Sequence, residues 1–89
     1  MLIKINNQEY KLPNIGDTIY NIRPMATSYE YYPAVVGSVI VKNNDILIEL
    51  EESYLCRSVK TFGEFWFIDE DEAKKYCYEN KPQYKGLSS

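Results

Sequence analysis

The stretch Tyr29–Lys42, YEYYPAVVGSVIVK, is the one on which the fold turns. Its second part, AVVGSVIVK from Ala34, is apolar on both faces, the pattern of a central strand covered twice. Gly37 in its middle predicts a bulge or sharp bend, a common way for a small sheet to curl towards a barrel. The first part reads differently. Three of the chain's nine tyrosines fall within four residues, and segment 24–33, bracketed by Pro24 and Pro33, has no clear period and reads as a loop.

Outward from this stretch the period is two almost everywhere. LIKI and EYKL alternate around NNQ, whose asparagines tolerate the positive φ of a tight hairpin turn. PNIGD is a turn cluster. TIYNI, rich in β-branched and aromatic residues, predicts a strand ending before Pro24. NND at 43–45 turns the apolar strand into ILIEL; YLCRSVKT and FWFI complete a set of six or seven short strands. Then the period changes to 3.6. Asp69 caps a helix with Glu72 as its capping-box partner, acidic residues at 70–72 suit the positive end of the dipole, and Ala73, Tyr76 and Cys77 form a stripe that docks on the sheet. Lys81-Pro82 stops the helix.

The predicted fold is therefore mostly β (α+β). It is a small curled antiparallel sheet, an SH3-like barrel with one short C-terminal helix; a flatter sheet covered by the helix is the alternative. With 89 residues, 45% apolar and 26% charged, the chain is one domain with a modest core. It spans residues 1–80, with the helix at about 70–80 and a flexible tail at 81–89.

Composition narrows the chemistry. The net charge of −3 lacks the basic excess behind most nucleic-acid affinity and behind binding to anionic membranes. MLIKINNQEY has no secretory pattern, and no apolar run approaches the ~20 residues that span a bilayer; the expectation is a cytoplasmic protein with reduced Cys56 and Cys77. There is no histidine, which removes the commonest general base and metal ligand. No phosphate-cradling motif occurs, the cysteines lack partner ligands for zinc, and DEDE at 69–72 lacks the central glycine of a calcium loop. The expectation is no enzyme, no metal and no cofactor. Cys56 beside Arg57 is a candidate reactive thiol, but neighbours on a strand point to opposite faces.

Tyr20, Trp66 with Phe65 or Phe67, and Tyr76 occupy core-compatible positions. Tyr29, Tyr31 and Tyr32 do not, and tyrosine is enriched at recognition surfaces. The candidate partner-binding residues are Tyr29, Glu30, Tyr31 and Tyr32 with Glu51 and Glu52, Glu30 and the ELEES stretch at 49–53 serving as an acidic rim. Tyr32, nearest the strand, is the one expected to lid the core. Alanine at Tyr29 and Tyr31 is expected to spare the fold and weaken partner binding. Two other readings stay open: a nucleic-acid-binding small barrel with Arg23, Arg57 and Lys60 as a local patch, and a structural component that self-assembles through an unpaired sheet edge.

IGDTIY at 15–20 followed by FGEFWFIDEDEA at 62–73 resembles a pattern in small, largely uncharacterised proteins of Gram-positive phages and mobile elements. In those, a G-D-x-aliphatic strand opens a small barrel, and F-G, an aromatic run, a capping residue and an E-E-A helix start close it. Here Asp71-Glu72-Ala73 stands for E-E-A, and Asp69 for the usual Thr or Ser. The resemblance implies a phage-type protein that binds a bacterial host protein and inhibits it without catalysis, anti-CRISPR proteins being one such class.

Overall fold

In the computed structural model, which describes residues 2–51 and 55–82, all strand pairing within the sheets is antiparallel. Strands β1 (Leu2–Ile5) and β2 (Gln8–Lys11) form a separate hairpin. Asn6 and Asn7 close it with φ of 53° and 69°, the left-handed two-residue turn whose twist matches the strands it joins.

A five-stranded sheet follows, built from β3 (Thr18–Pro24), β4 (Tyr29–Lys42), β5 (Asp45–Leu50), β6 (Cys56–Ser58) and β7 (Trp66–Phe67). β3 to β6 meander; a 3₁₀ turn at Val59–Thr61 then sends β7 back beside β3, giving the order β6-β5-β4-β3-β7. This is the predicted SH3-like connectivity, curled into a half-barrel. β4 makes the curl. Its first half pairs with β3 and its second with β5, and the register slips between Val36 and Ser38. Gly37 sits at the slip because a Cβ there would stand 3.0 Å from Glu51 Cγ and 3.3 Å from Glu51 N.

Two apolar clusters hold the sheet. Inside the curl, Ile19, Val36, Ile48, Leu50, Val59 and Trp66 are buried, and Ile3, Ile5, Tyr10 and Leu12 close over them from the hairpin side. Trp66 is 0% exposed, and its indole Nε1 donates to Ser58 O at 2.9 Å, so the ring is buried with its one donor satisfied. Burying such a ring contributes at most about 4–6 kcal/mol. On the outer face, helix α1 (Glu70–Glu79) lays the predicted Ala73, Tyr76 and Cys77 stripe against Ile22, Phe67, Tyr20, Tyr29 and Tyr31. Asp69 caps the helix as predicted, its carboxylate accepting from Asp71 N.

The sequence reading needs correction in three places. Segment 24–33 is not a loop: β3 runs through Pro24, β4 starts at Tyr29, and only residues 25–28 turn between them. Tyrosines on both faces concealed the alternation, because both faces of this half-strand are covered. Of YLCRSVKT, only Cys56–Ser58 is strand among the described residues, and it runs into the 3₁₀ turn. FWFI pairs only at Trp66 and Phe67. The tail residues 83–89 and Glu52 lie outside the described residues.

Candidate functional site

Pairing sorts the tyrosines by face, since residues opposite each other in an antiparallel ladder share a side. Tyr31 lies opposite Ile22 and Tyr29 opposite Pro24, on the outer face; Glu30 lies opposite Arg23 and Tyr32 opposite Asn21, on the inner face. All four are half-buried.

On the outer face, the Tyr29 ring stands 5.6 Å from that of Tyr76, and Tyr31 meets Tyr20 edge-on at 6.2 Å. The Tyr31 hydroxyl donates to Glu70 Oε2 at 3.3 Å, at the start of α1. Tyr29 and Tyr31 therefore help dock the helix, and alanine there removes packing; the expectation that the fold is spared does not follow from this arrangement. Beyond them α1 and β4 leave a groove of about 410 Å³ lined by Tyr29, Glu30, Tyr31, Lys74, Cys77 and Tyr78. Tyr78 is 88% exposed at its rim. Lys74 has no ion-pair partner among the described residues. Burial raises the Tyr31 hydroxyl above its ordinary 10.0, and the charge and hydrogen bond of Glu70 add to it. Burial and then Tyr29 raise Tyr76. Burial and then Glu30 raise the Cys77 thiol above 9.0, so this sulfur is a neutral packing group rather than a thiolate nucleophile.

The groove opens beside an unpaired strand edge. Tyr29–Ala34 pair with β3 alone, because the β5 side reaches β4 only at Val35, whose carbonyl accepts from Glu51 N, and the ladder with β5 starts at Val36. Ile22 N–H donates to Phe65 O at 2.9 Å, on the β7 side. Its partner Tyr31 therefore turns its own main-chain groups away from β3. The bonds Val36 N to Asp17 O at 2.9 Å and Glu51 N to Val35 O at 2.8 Å keep the same alternation. Tyr29, Tyr31 and Pro33 thus point their main-chain groups out of the sheet, and no strand among the described residues meets them. Pro33 fits here because its missing N–H falls on the open side.

The inner face carries a polar group of a different kind. Asn21 is 0% exposed in the middle of an apolar strand. Its Oδ1 accepts from Arg57 Nε at 3.0 Å, while its Nδ2 has no partner among the described residues. Arg57 also donates from Nη2 to Ile22 O at 3.5 Å and lies 5.9 Å from the Phe65 ring centre. Arg23 stands over the Tyr32 ring at 5.3 Å and pairs with Glu30 at 3.5 Å.

The structure thus brings Tyr29 and Tyr31 into one groove, which the intervening Glu30 also lines, and sets Tyr32 with the Glu30–Arg23 pair on the opposite face. Glu30 is engaged by Arg23 rather than free as an acidic rim. Glu51 is exposed, holds Val35 through its backbone and does not line the groove. Lys60 lines a different groove, with Leu2, Tyr10 and Phe62, so it is no part of the Arg23–Arg57 group. Lys74, Tyr78 and Asn21 escaped the sequence reading, although an asparagine inside TIYNI was itself a signal. Among the described residues, no group of three or more acidic, cysteine or histidine side chains is placed to hold a metal ion, and no helix is long and apolar enough to cross a membrane. No protein family, curated protein or solved structure matches the chain.

Proposed function

We propose that the chain is a non-catalytic protein-binding module that holds its partner in the groove between β4 and α1. The observation that carries this reading is the groove itself: aromatic rings with polar tips, mostly apolar walls, and at the rim one ammonium with no ion-pair partner among the described residues. Recognition surfaces favour that composition, because tyrosine offers large contact area with little rotamer entropy to lose. The raised Cys77 thiol stays protonated near neutral pH, which favours a packing role for it. A module that works by occupancy alone blocks or adapts its target, and the resemblance to phage proteins favours inhibition of a bacterial host protein.

Site-specific photocrosslinking tests this. A benzophenone side chain replaces exposed Tyr78 in one version and Lys42, at the far hairpin, in a control. One host protein crosslinked from position 78 and not from 42 supports the groove. No protein adduct, or equal adducts from both positions, overturns it.

A second reading rests on the inner face. Arg57 beside Phe65 and Arg23 over Tyr32 are guanidinium–aromatic pairs of the kind that stack unpaired bases. Such binding weakens steeply as salt rises, whereas an aromatic groove holding a protein does not.

A further inference from the structure

We propose that the partner is held as an added β-strand: an extended segment pairs with the open edge of β4 at Tyr29–Pro33, with an apolar side chain in the groove and an acidic neighbour facing Lys74. This inference rests on the protein-binding reading and specifies how the partner is gripped.

The main-chain groups come first. Tyr29 and Tyr31 each present an N–H and a C=O outward, and Pro33 presents a C=O alone. Groups of this kind recur every second residue, roughly 6.6–6.8 Å apart, and an extended chain offers the complementary set at that repeat. The side chains follow. A segment residue opposite Tyr31 shares its face and so points into the space between Tyr31 and the α1 flank of Lys74, Cys77 and Tyr78. The walls there are apolar, which selects an apolar residue. The Lys74 ammonium, which no acid among the described residues pairs, selects a carboxylate beside it. Residues between these would face inward, towards Tyr32 and the Arg23–Glu30 pair, and would be polar.

The same geometry disfavours a second copy of the chain as occupant. Two β4 edges paired about Tyr31 would set Pro33 of each against Tyr29 of the other. The Tyr29 carbonyls would then lack donors, and each groove would receive tyrosine and lysine instead of an acid. Proline near the end of an exposed edge is also a device against such pairing.

The test uses the whole chain and a phage-displayed library of random peptides. Recovered peptides are resynthesised with N-methyl groups at successive backbone nitrogens, and amide exchange of the isotope-labelled protein is followed with and without them. Methylation at alternate positions should weaken binding about fivefold or more per blocked bond, the intervening positions should tolerate it, and the Tyr31 amide should slow its exchange. Lys74→Glu should weaken acidic peptides by a similar factor. Peptides that bind with no alternate-position sensitivity and no protection at Tyr31 overturn the added strand and leave the groove reading standing. Two further outcomes also overturn it: a chain that protects Tyr31 by self-association, and a library that returns no binder.

Discussion

The Asn21–Arg57 contact makes a quantitative prediction that a double-mutant cycle resolves. Asn21 is wholly buried, with one amide atom bonded to Arg57 at 3.0 Å and the other bonded to no described residue. Arg57→Met keeps the length of the side chain but strips Asn21 of its only partner. Leaving a buried polar group unbonded costs about 1–3 kcal/mol. Asn21→Val removes the orphan donor and puts a β-branched residue against Trp66, which pairs opposite it. The Arg57 Nε it abandons belongs to a half-buried side chain that turns to water, so the single change is near neutral. The double variant has neither amide atom of Asn21, although the Ile22 carbonyl loses its long 3.5 Å bond from Arg57, and should exceed the wild type by about 1 kcal/mol, as when a buried polar pair is replaced by apolar residues. The expected order is therefore double variant, then wild type and Asn21→Val together, then Arg57→Met. The coupling is about 2–4 kcal/mol, and each ~1 kcal/mol moves the melting temperature by roughly 4–8 °C in a domain of this size. Urea and thermal unfolding followed by circular dichroism measure all four proteins. An Arg57→Met protein as stable as the wild type, or four stabilities that simply add, would refute the argument, because Asn21 would then draw no net stability from Arg57.

Two further predictions concern the helix and its seat. Asp69→Ala removes the carboxylate that accepts from Asp71 N and a negative charge at the helix start. It should cost about 1 kcal/mol and be restored by Asp69→Ser; an unchanged melting temperature would mean that tertiary contacts alone set this end. Stability should also fall at alkaline pH. Cys77, Tyr31 and Tyr76 have raised values in the folded state, so the unfolded chain releases their protons first. The stabilisation is whole below 9.0, where the unfolded thiol begins to ionise, and declines from there, with the tyrosines contributing from 10.0 upward. Urea midpoints measured across this range should fall, and Tyr31→Phe should flatten the upper part. A midpoint independent of pH would show that these groups do not sense the helix interface.

The elements that local chemistry specifies were legible in the sequence. Asn6-Asn7 marked the hairpin turn, Gly37 the bend of β4, Asp69 the helix cap, and Ala73, Tyr76 and Cys77 the docking face. Each is a residue whose preference acts within its own turn or strand. What failed to show was the strand through Tyr29–Pro33. A strand signals itself by one wet and one dry face, and here the helix covers one side and the mouth of the half-barrel the other, so aromatic residues stand on both. Pro33 strengthened the loop reading, because proline breaks a ladder only when its nitrogen faces a partner, and nothing in the sequence told which way it faced. The tyrosine cluster divides between the two faces, Tyr29 and Tyr31 on one and Tyr32 on the other, and the groove beside the first two also needs Lys74 and Tyr78, which folding brings over from the helix.

That double coverage sets what mutagenesis can reveal about function. Tyr29 and Tyr31 are at once the seat of α1 and the floor of the groove, so truncating either perturbs helix docking and the candidate surface together. A loss of binding by such a variant therefore does not locate the interface. The rim is different: Lys74 and Tyr78 lie on the exposed flank of the helix, away from the Ala73 and Tyr76 face that packs on Ile22 and Phe67. Substitutions there change the charge and aromatic surface a partner meets while leaving the docked face in place. Arg57 and Asn21 serve the same purpose for the inner face, because their double replacement removes the polar group without opening a cavity. A partner lost on changing the rim but retained on changing the inner pair belongs to the groove; the opposite pattern belongs to the half-barrel mouth. The two faces of one strand thus become separable by residues that are not on that strand.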